Sequence, residues 1–145
     1  MRRIFNTNFN HNTLNLAILI LRVVLGVFML SHGLGKFQML VAGGTIKFAD
    51  PIGIGELPSL ILAVFAEVIC SVLLILGFAT RLVVIPLMVT MIVAVFVVHA
   101  NDGFKVQELP AHYLLAYFFI LLSGAGKYSV DYFISKKLNR RSRLR

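Results

Sequence analysis

Along this 145-residue chain, apolar positions gather into long blocks separated by short polar breaks. Leu14 to Gly35 is free of ionisable groups except for Arg22 and His32, and Leu57 to Ala79 except for Glu67. Leu82 to Ala100 carries no charge and has His99 at its end; Tyr113 to Gly126 is uncharged but shorter. A helix that crosses a bilayer needs about 20 residues, within a range of about 17–25. The first three blocks reach that length. The fourth reaches it if its helix begins near Leu109, with Pro110 in the first turn, where a missing N–H costs little, and Glu108 at the positive end of the helix dipole. The pattern therefore predicts spans at about 14–35, 57–79, 82–100 and 109–126. Backbone inside hydrocarbon must satisfy its own hydrogen bonds, so the expected fold is all-α, an up-down-up-down bundle of four transmembrane helices. Residues 1–13 read as an N-terminal segment, 14–134 as one four-span domain and 135–145 as a basic tail.

Breaks fall where such a bundle needs them. Gly77, Ala79, Thr80 and Arg81 make a very short link between spans two and three, which makes those helices antiparallel neighbours. Pro86 is placed near the first turn of span three, and Gly124 and Gly126 end span four. Lys36 to Glu56 is the one long loop, with Gly43–Gly44, Asp50–Pro51, Gly53 and Gly55 as turn signals. It is apolar enough (Phe37, Met39, Leu40, Val41, Ile46, Phe48) to lie on the membrane or fold over the bundle mouth. The first block is too long for a secretory signal and no small-x-small site follows it, so it reads as an uncleaved helix.

Composition agrees. Hydrophobic residues make up 59% of the chain and charged residues 14%, against about 45–50% and about 25% in soluble domains. A small soluble protein cannot hide that much apolar side chain. Cys70 is the only cysteine, which excludes an internal disulfide, a CxxC couple and a four-cysteine zinc or iron–sulfur site within the chain. The net charge of +8 does not point to nucleic acid, because half of the fourteen Lys and Arg residues follow Gly126, as a basic tail behind a membrane span does. Arg2, Arg3, Arg81 and the seven basic residues after Gly126 share one side of a four-span topology; Lys36, Lys47 and Lys105 share the other. The excess of positive charge expected on the cytoplasmic side puts both termini in the cytoplasm.

Two charges stand inside spans. Counted from the same membrane face, Arg22 lies about 12 Å deep and Glu67 about 16 Å, at about 1.5 Å per residue. The expectation is an ion pair between spans one and two, either fixing helix register or taking part in function. Positions 22, 26, 29, 33 and 36 form one helical face, on which Gly26 and Gly33 allow close helix approach. The facing stripe is Glu67, Cys70, Ser71, Leu74, Gly77 and Arg81. A second polar group gathers at the opposite end: His32 and Lys36 after span one, His99 and Asp102 after span three, Glu108 and His112 around the start of span four. Polar residues belong at helix ends in any case. Beyond that placement, the group reads first as the mouth of a quinone or small-molecule site and second as a b-type haem or metal site. No metal-ligand motif or nucleotide-binding motif is present in the sequence.

Arg22 with Gly26, then His32–Gly33–Leu34–Gly35–Lys36, Glu67, Leu76–Gly77–Phe78–Ala79–Thr80–Arg81, His99, and Gly124–Ala125–Gly126–Lys127–Tyr128–Ser129–Val130–Asp131 together resemble the DoxX family of small membrane proteins. The likeness runs from Leu14 to Asp131 and implies a four-helix integral protein of the cytoplasmic (inner) membrane of a bacterium. The family name is linked to electron transfer from thiosulfate to quinone, and some relatives look like membrane partners of redox enzymes. The resemblance thus implies a membrane subunit or partner of a redox complex, with quinone as the first ligand to consider. The other reading is a non-enzymatic module: an assembly or lipid-binding factor, or a small-solute permease. The resemblance brings no catalytic residue set, and the tail after Ser135 lies outside its pattern.

Overall fold

The structure, a computed structural model, describes residues 10–44 and 46–142. Arg2, Arg3 and the chain beyond Ser142 lie outside the described residues. Four helices are long and apolar enough to cross a membrane: α1 (His11–Ala42), α2 (Glu56–Leu76), α3 (Thr80–Val98) and α4 (Phe104–Ser123). A fifth, α5 (Val130–Ser142), carries the basic tail, so this segment is helical and begins five residues before the boundary expected at 135. No strand occurs among the described residues.

Each terminus has a local cause. The Asn10 side chain accepts the N–H groups of Asn12 (3.0 Å) and Thr13 (3.4 Å), capping α1. The helix then runs for 32 residues, through Lys36 to Ala42, and the long loop starts at Gly43 rather than at Lys36. Phe37 to Val41 contains no breaker; the stop is Gly43–Gly44, with φ of 65° and 87°. Asp50 then organises the loop, accepting from the N–H groups of Ile54 (3.0 Å) and Gly55 (2.7 Å) and from the Ser59 hydroxyl (2.9 Å) in the first turn of α2. At the other end of α2, Gly77 takes the left-handed conformation (φ 70°), and Phe78 N–H and Gly77 N–H bond back to the carbonyls of Leu73 and Leu74, both at 3.0 Å. The α2–α3 link is only Gly77–Ala79, with Thr80 and Arg81 already inside α3.

Helix α4 starts at Phe104, five residues before the expected start at Leu109. Gly103 (φ 80°) turns the chain there, and the Gln107 side chain holds the turn by donating to the carbonyls of His99 (2.7 Å) and Ala100 (3.3 Å). Pro110 and Pro86 consequently stand in the second turns of α4 and α3 rather than the first.

Consecutive helices pack antiparallel, with α3 against α4 and α1 against α2 as the main pairs and a slighter α1–α4 contact closing the bundle. The core joins Met29, Cys70, Leu74, Val84, Leu87, Tyr117 and Ile120. The outer faces expose Ile20, Phe28, Leu62, Leu82, Phe96, Leu115 and Leu122. That all-round apolar exterior suits lipid and would be a liability in water. Two stretches widen to π-helix, Phe65–Cys70 in α2 and Ala94–Val98 at the end of α3.

Candidate functional site

On α1 the buried residues are Ile18, Arg22, Gly26, Met29 and Gly33, the stripe expected from spacing. The glycines set how α1 meets α2. A Cβ at Gly33 would lie 2.8 Å from Val68 Cγ2 and 2.9 Å from the Glu67 backbone carbon, and one at Gly26 would strike Ile75. Gly33 therefore sits level with Glu67, and Lys36, three residues on, reaches the same carboxylate.

The ion pair that forms is Lys36 Nζ with Glu67 Oε1. The expected Arg22–Glu67 pair does not form. Arg22 lies eleven residues before Gly33, about 16 Å along the helix axis from the level of Glu67, and faces Gly77 instead, where a Cβ would collide with its guanidinium. The depth estimate assumed that both helices begin flush at one face. In fact the first turns of α1 run past the α2–α3 turn and pack against the segment after α4, where Asn15 accepts the Lys127 N–H (2.8 Å).

Above the Gly33 level the helices enclose a cavity of about 470 Å³ between α1, α2, α3 and α4, roofed by Phe48 to Ile52 of the long loop. His32, Lys36, Glu67, Thr90, His99 and Tyr113 are its main polar or amphipathic lining, and Met29, Leu62, Val89, Met91, Val98 and Leu109 are among its apolar walls. Both π-helical stretches border it, the first through Glu67 and the second through Ala94 and Val98. Such widening re-aims side chains and recurs at functional sites. Glu67 is 4% exposed, and its Oε2 has no protein partner. The Lys36 ammonium, about one-third exposed, stands 5.9 Å from the centroid of the Phe48 ring, which ties the roof to the ion pair. His32 meets Tyr113 edge-on, centroids 6.4 Å apart, and Tyr113 lies against Tyr117 at 6.0 Å. His99 Nδ1 is 2.7 Å from Asp102 Oδ2. An ionised carboxylate only accepts, so Nδ1–H donates and Nε2 is the basic nitrogen of the neutral ring.

Of the six residues expected at the mouth, His32, Lys36 and His99 line one cavity and Asp102 orients His99 from outside it. Glu108 and His112 do not line it; His112 Nδ1–H donates to Glu108 O, 2.7 Å, one turn back on its own helix. Glu67 moves from the supposed structural pair into this site. Tyr113 and Thr90 were missed; Phe48 belongs to the loop whose apolar residues allowed it to lie on the membrane or fold over the mouth. Tyr113 and Tyr117, four apart, share a helix face that spacing could have revealed. Among the described residues no three metal-ligating side chains come together.

The roof is held by Asp50, whose carboxyl the Gly55 N–H holds below the usual carboxylate range, aided by Ser59 and Ile54 against a smaller opposing effect of burial.

The other end of the bundle is clasped through backbone contacts. Arg22, fully buried, donates to the Tyr128 carbonyl (2.7 Å) and lies within electrostatic reach of Asp131. Asp131 accepts the N–H groups of Ala79 (2.7 Å) and Thr80 (2.9 Å), capping α3, while its own N–H donates to Gly77 O (3.0 Å). Ala79, with φ 49°, is held in a left-handed conformation by this clasp.

The chain matches the DoxX family over residues 17–100. It is 32% identical over 127 residues to a Bacillus subtilis (strain 168) protein named "Putative oxidoreductase CatD", covering 87% of this chain and 92% of that protein. It is 32% identical over 131 residues to an uncharacterized protein of Haemophilus influenzae, covering 81% and 90%. It is 27% identical over 141 residues to a Mycobacterium tuberculosis protein named "Uncharacterized membrane protein Rv3486", covering 83% of each. No solved structure matches it.

Proposed function

The chain belongs to the DoxX family, and from that premise we propose that it is a membrane partner of a redox enzyme, with the Lys36–Glu67 cavity as a quinone site. The cavity is the observation that carries this reading. Its volume of about 470 Å³ lies within the range of small-molecule sites, about 300–1,000 Å³. Apolar walls suit a ring and an isoprenoid tail, and the opening within the bundle suits a ligand that arrives through lipid. When bound, a quinone supplies two-electron, two-proton chemistry. The chain's own residues bind and orient it: Lys36 donates toward a ring oxygen, Glu67 holds Lys36 in place, and His99, fixed by Asp102, offers a basic nitrogen. The name of the Bacillus relative supports a redox setting.

The charge count supports a topology with both termini in the cytoplasm, which opens the cavity toward the outer leaflet, and the bacterial relatives support the inner membrane of a bacterium. A reporter active only outside the cytoplasm is expected to work when fused at Gly43–Gly44 and to be silent after Arg145. The opposite pattern overturns the topology.

The test of the site is titration of the purified protein in nanodiscs with a short-chain ubiquinone, followed by quenching of tyrosine fluorescence. Saturable binding is expected, with affinity reduced about tenfold or more in Lys36→Met, the effect of one charge-assisted hydrogen bond. Absence of saturation, or equal binding by Lys36→Met, overturns the quinone site.

A further inference from the structure

We propose that the clasped end of the bundle holds a specific site for the phosphate of an anionic phospholipid, built from Arg81 and Lys127. A second cavity, about 640 Å³, opens there between the α1 start, the α2–α3 turn and the α4–α5 turn. Arg81 and Lys127 both line it and both are exposed. Neither has a carboxylate partner among the described residues. Arg81 makes one long bond, 3.4 Å, to the Leu122 carbonyl, and its guanidinium rests over Gly124 at the end of α4. Cations there favour the helix dipole but leave most guanidinium donors unused.

Asp131 is the acid of the cavity lining, and it is committed. It accepts two backbone N–H groups and faces Arg22, so its charge is compensated from within the protein. The balance at the rim is therefore positive. An independent observation lies in the wall: Thr80, 1% exposed, lines the cavity, and its hydroxyl has no partner. The Ser123 hydroxyl beside it is likewise unpaired. The two cations are the donors that a phosphate diester accepts from, and the covered, unpaired hydroxyls of Thr80 and Ser123 lie in the wall beneath them.

The source of the phosphate is argued from α5. Its side toward the cavity carries Asp131 and Ser135. Val130 and Phe133 are exposed and fall on the opposite side at helical spacing, with Lys137 and Arg140 among them. A helix that interleaves apolar and basic side chains outward lies in a membrane interface, its cations at headgroup level. The cavity thus opens at the depth of lipid phosphates, next to a helix that an anionic leaflet attracts.

The experiment uses the full chain in dodecyl maltoside and follows its melting temperature during titration with short-chain phosphatidylglycerol, phosphatidylcholine or glycerol phosphate. A saturable rise with phosphatidylglycerol is expected and none with the other two. In Arg81→Gln/Lys127→Gln the apparent affinity for phosphatidylglycerol is expected to fall about tenfold or more, as for loss of charge-assisted bonds. Lys127→Gln alone gives a smaller fall in the same direction, which serves if the double variant does not fold. Lys136→Gln/Lys137→Gln removes the same charge from α5 and is expected to keep affinity within about threefold, as for a screened surface charge. An equal loss in that variant overturns the site in favour of diffuse attraction. An equal rise with glycerol phosphate overturns the lipid assignment, and no rise at all overturns the proposal.

Discussion

The two ends of this bundle each bury a charged group, and they use it in opposite ways. At one end Asp131 spends its carboxylate on the Ala79 and Thr80 N–H groups, and the one hydrogen bond of Arg22 goes to the Tyr128 carbonyl, its Nε and Nη1 having no partner. At the open end Glu67 spends one oxygen on a mobile lysine side chain and leaves the other without a protein partner. Backbone partners cannot leave without unfolding a turn. Lys36 can turn toward the opening at little cost, because its head is already partly in the mouth. Burial of a charge is thus a poor guide to its role; what its partner is attached to decides between clasp and site.

Four measurements break or sharpen that contrast. The largest expected effect is Asp131→Ala, which removes the cap of α3 and frees the strained Ala79 turn. It should lower stability by about 3 kcal/mol, as for loss of two charge-assisted bonds, seen as a lower melting temperature in detergent. A loss under about 1 kcal/mol would show that the clasp is ornamental. Next, Gly33→Ala places a Cβ 2.8–2.9 Å from Val68 and Glu67 and should cost about 1–3 kcal/mol through overpacking. It should also displace Lys36 from Glu67, so quinone affinity and melting temperature fall together.

Glu67→Gln comes third. It removes the partner of Lys36, not of Arg22, and Lys36 is partly exposed, so the change in stability should stay within about 1 kcal/mol. Ligand affinity should fall much further. If Glu67→Gln destabilises as much as Asp131→Ala, the open end is a second clasp and the contrast fails. The smallest effect concerns the roof. The folded-state carboxyl of Asp50 lies below its unfolded value, so its contribution is fully present above the ordinary carboxylate range, about pH 4. It is lost as pH falls through the lower folded value. The protection of the Ile54 and Gly55 amides, relative to their intrinsic exchange at each pH, should fall on acidification below about pH 4, and Asp50→Asn should remove that pH dependence.

Much of this was legible in the chain. Uninterrupted apolar length predicted four helices because hydrocarbon forces backbone to bond within itself, and the spacing 22, 26, 29, 33 gave the buried face of α1. His32, Lys36 and His99 line one cavity, since three helix ends at one side of a small bundle must be neighbours. Which acid meets which base was not legible. That depends on how far α1 slides along α2, and the slide is set by where Gly26 and Gly33 seat on Ile75 and Glu67, a contact between elements distant in sequence. A shift of fourteen residues along α1 moved the partner of Glu67 from Arg22 to Lys36. The π-helical turns were also hidden, because they are local widenings imposed by packing rather than by composition. Composition and period determined that this is a four-helix membrane bundle with polar groups at one mouth; only the packing of one helix against the next decided which of its charges hold the fold and which face a ligand.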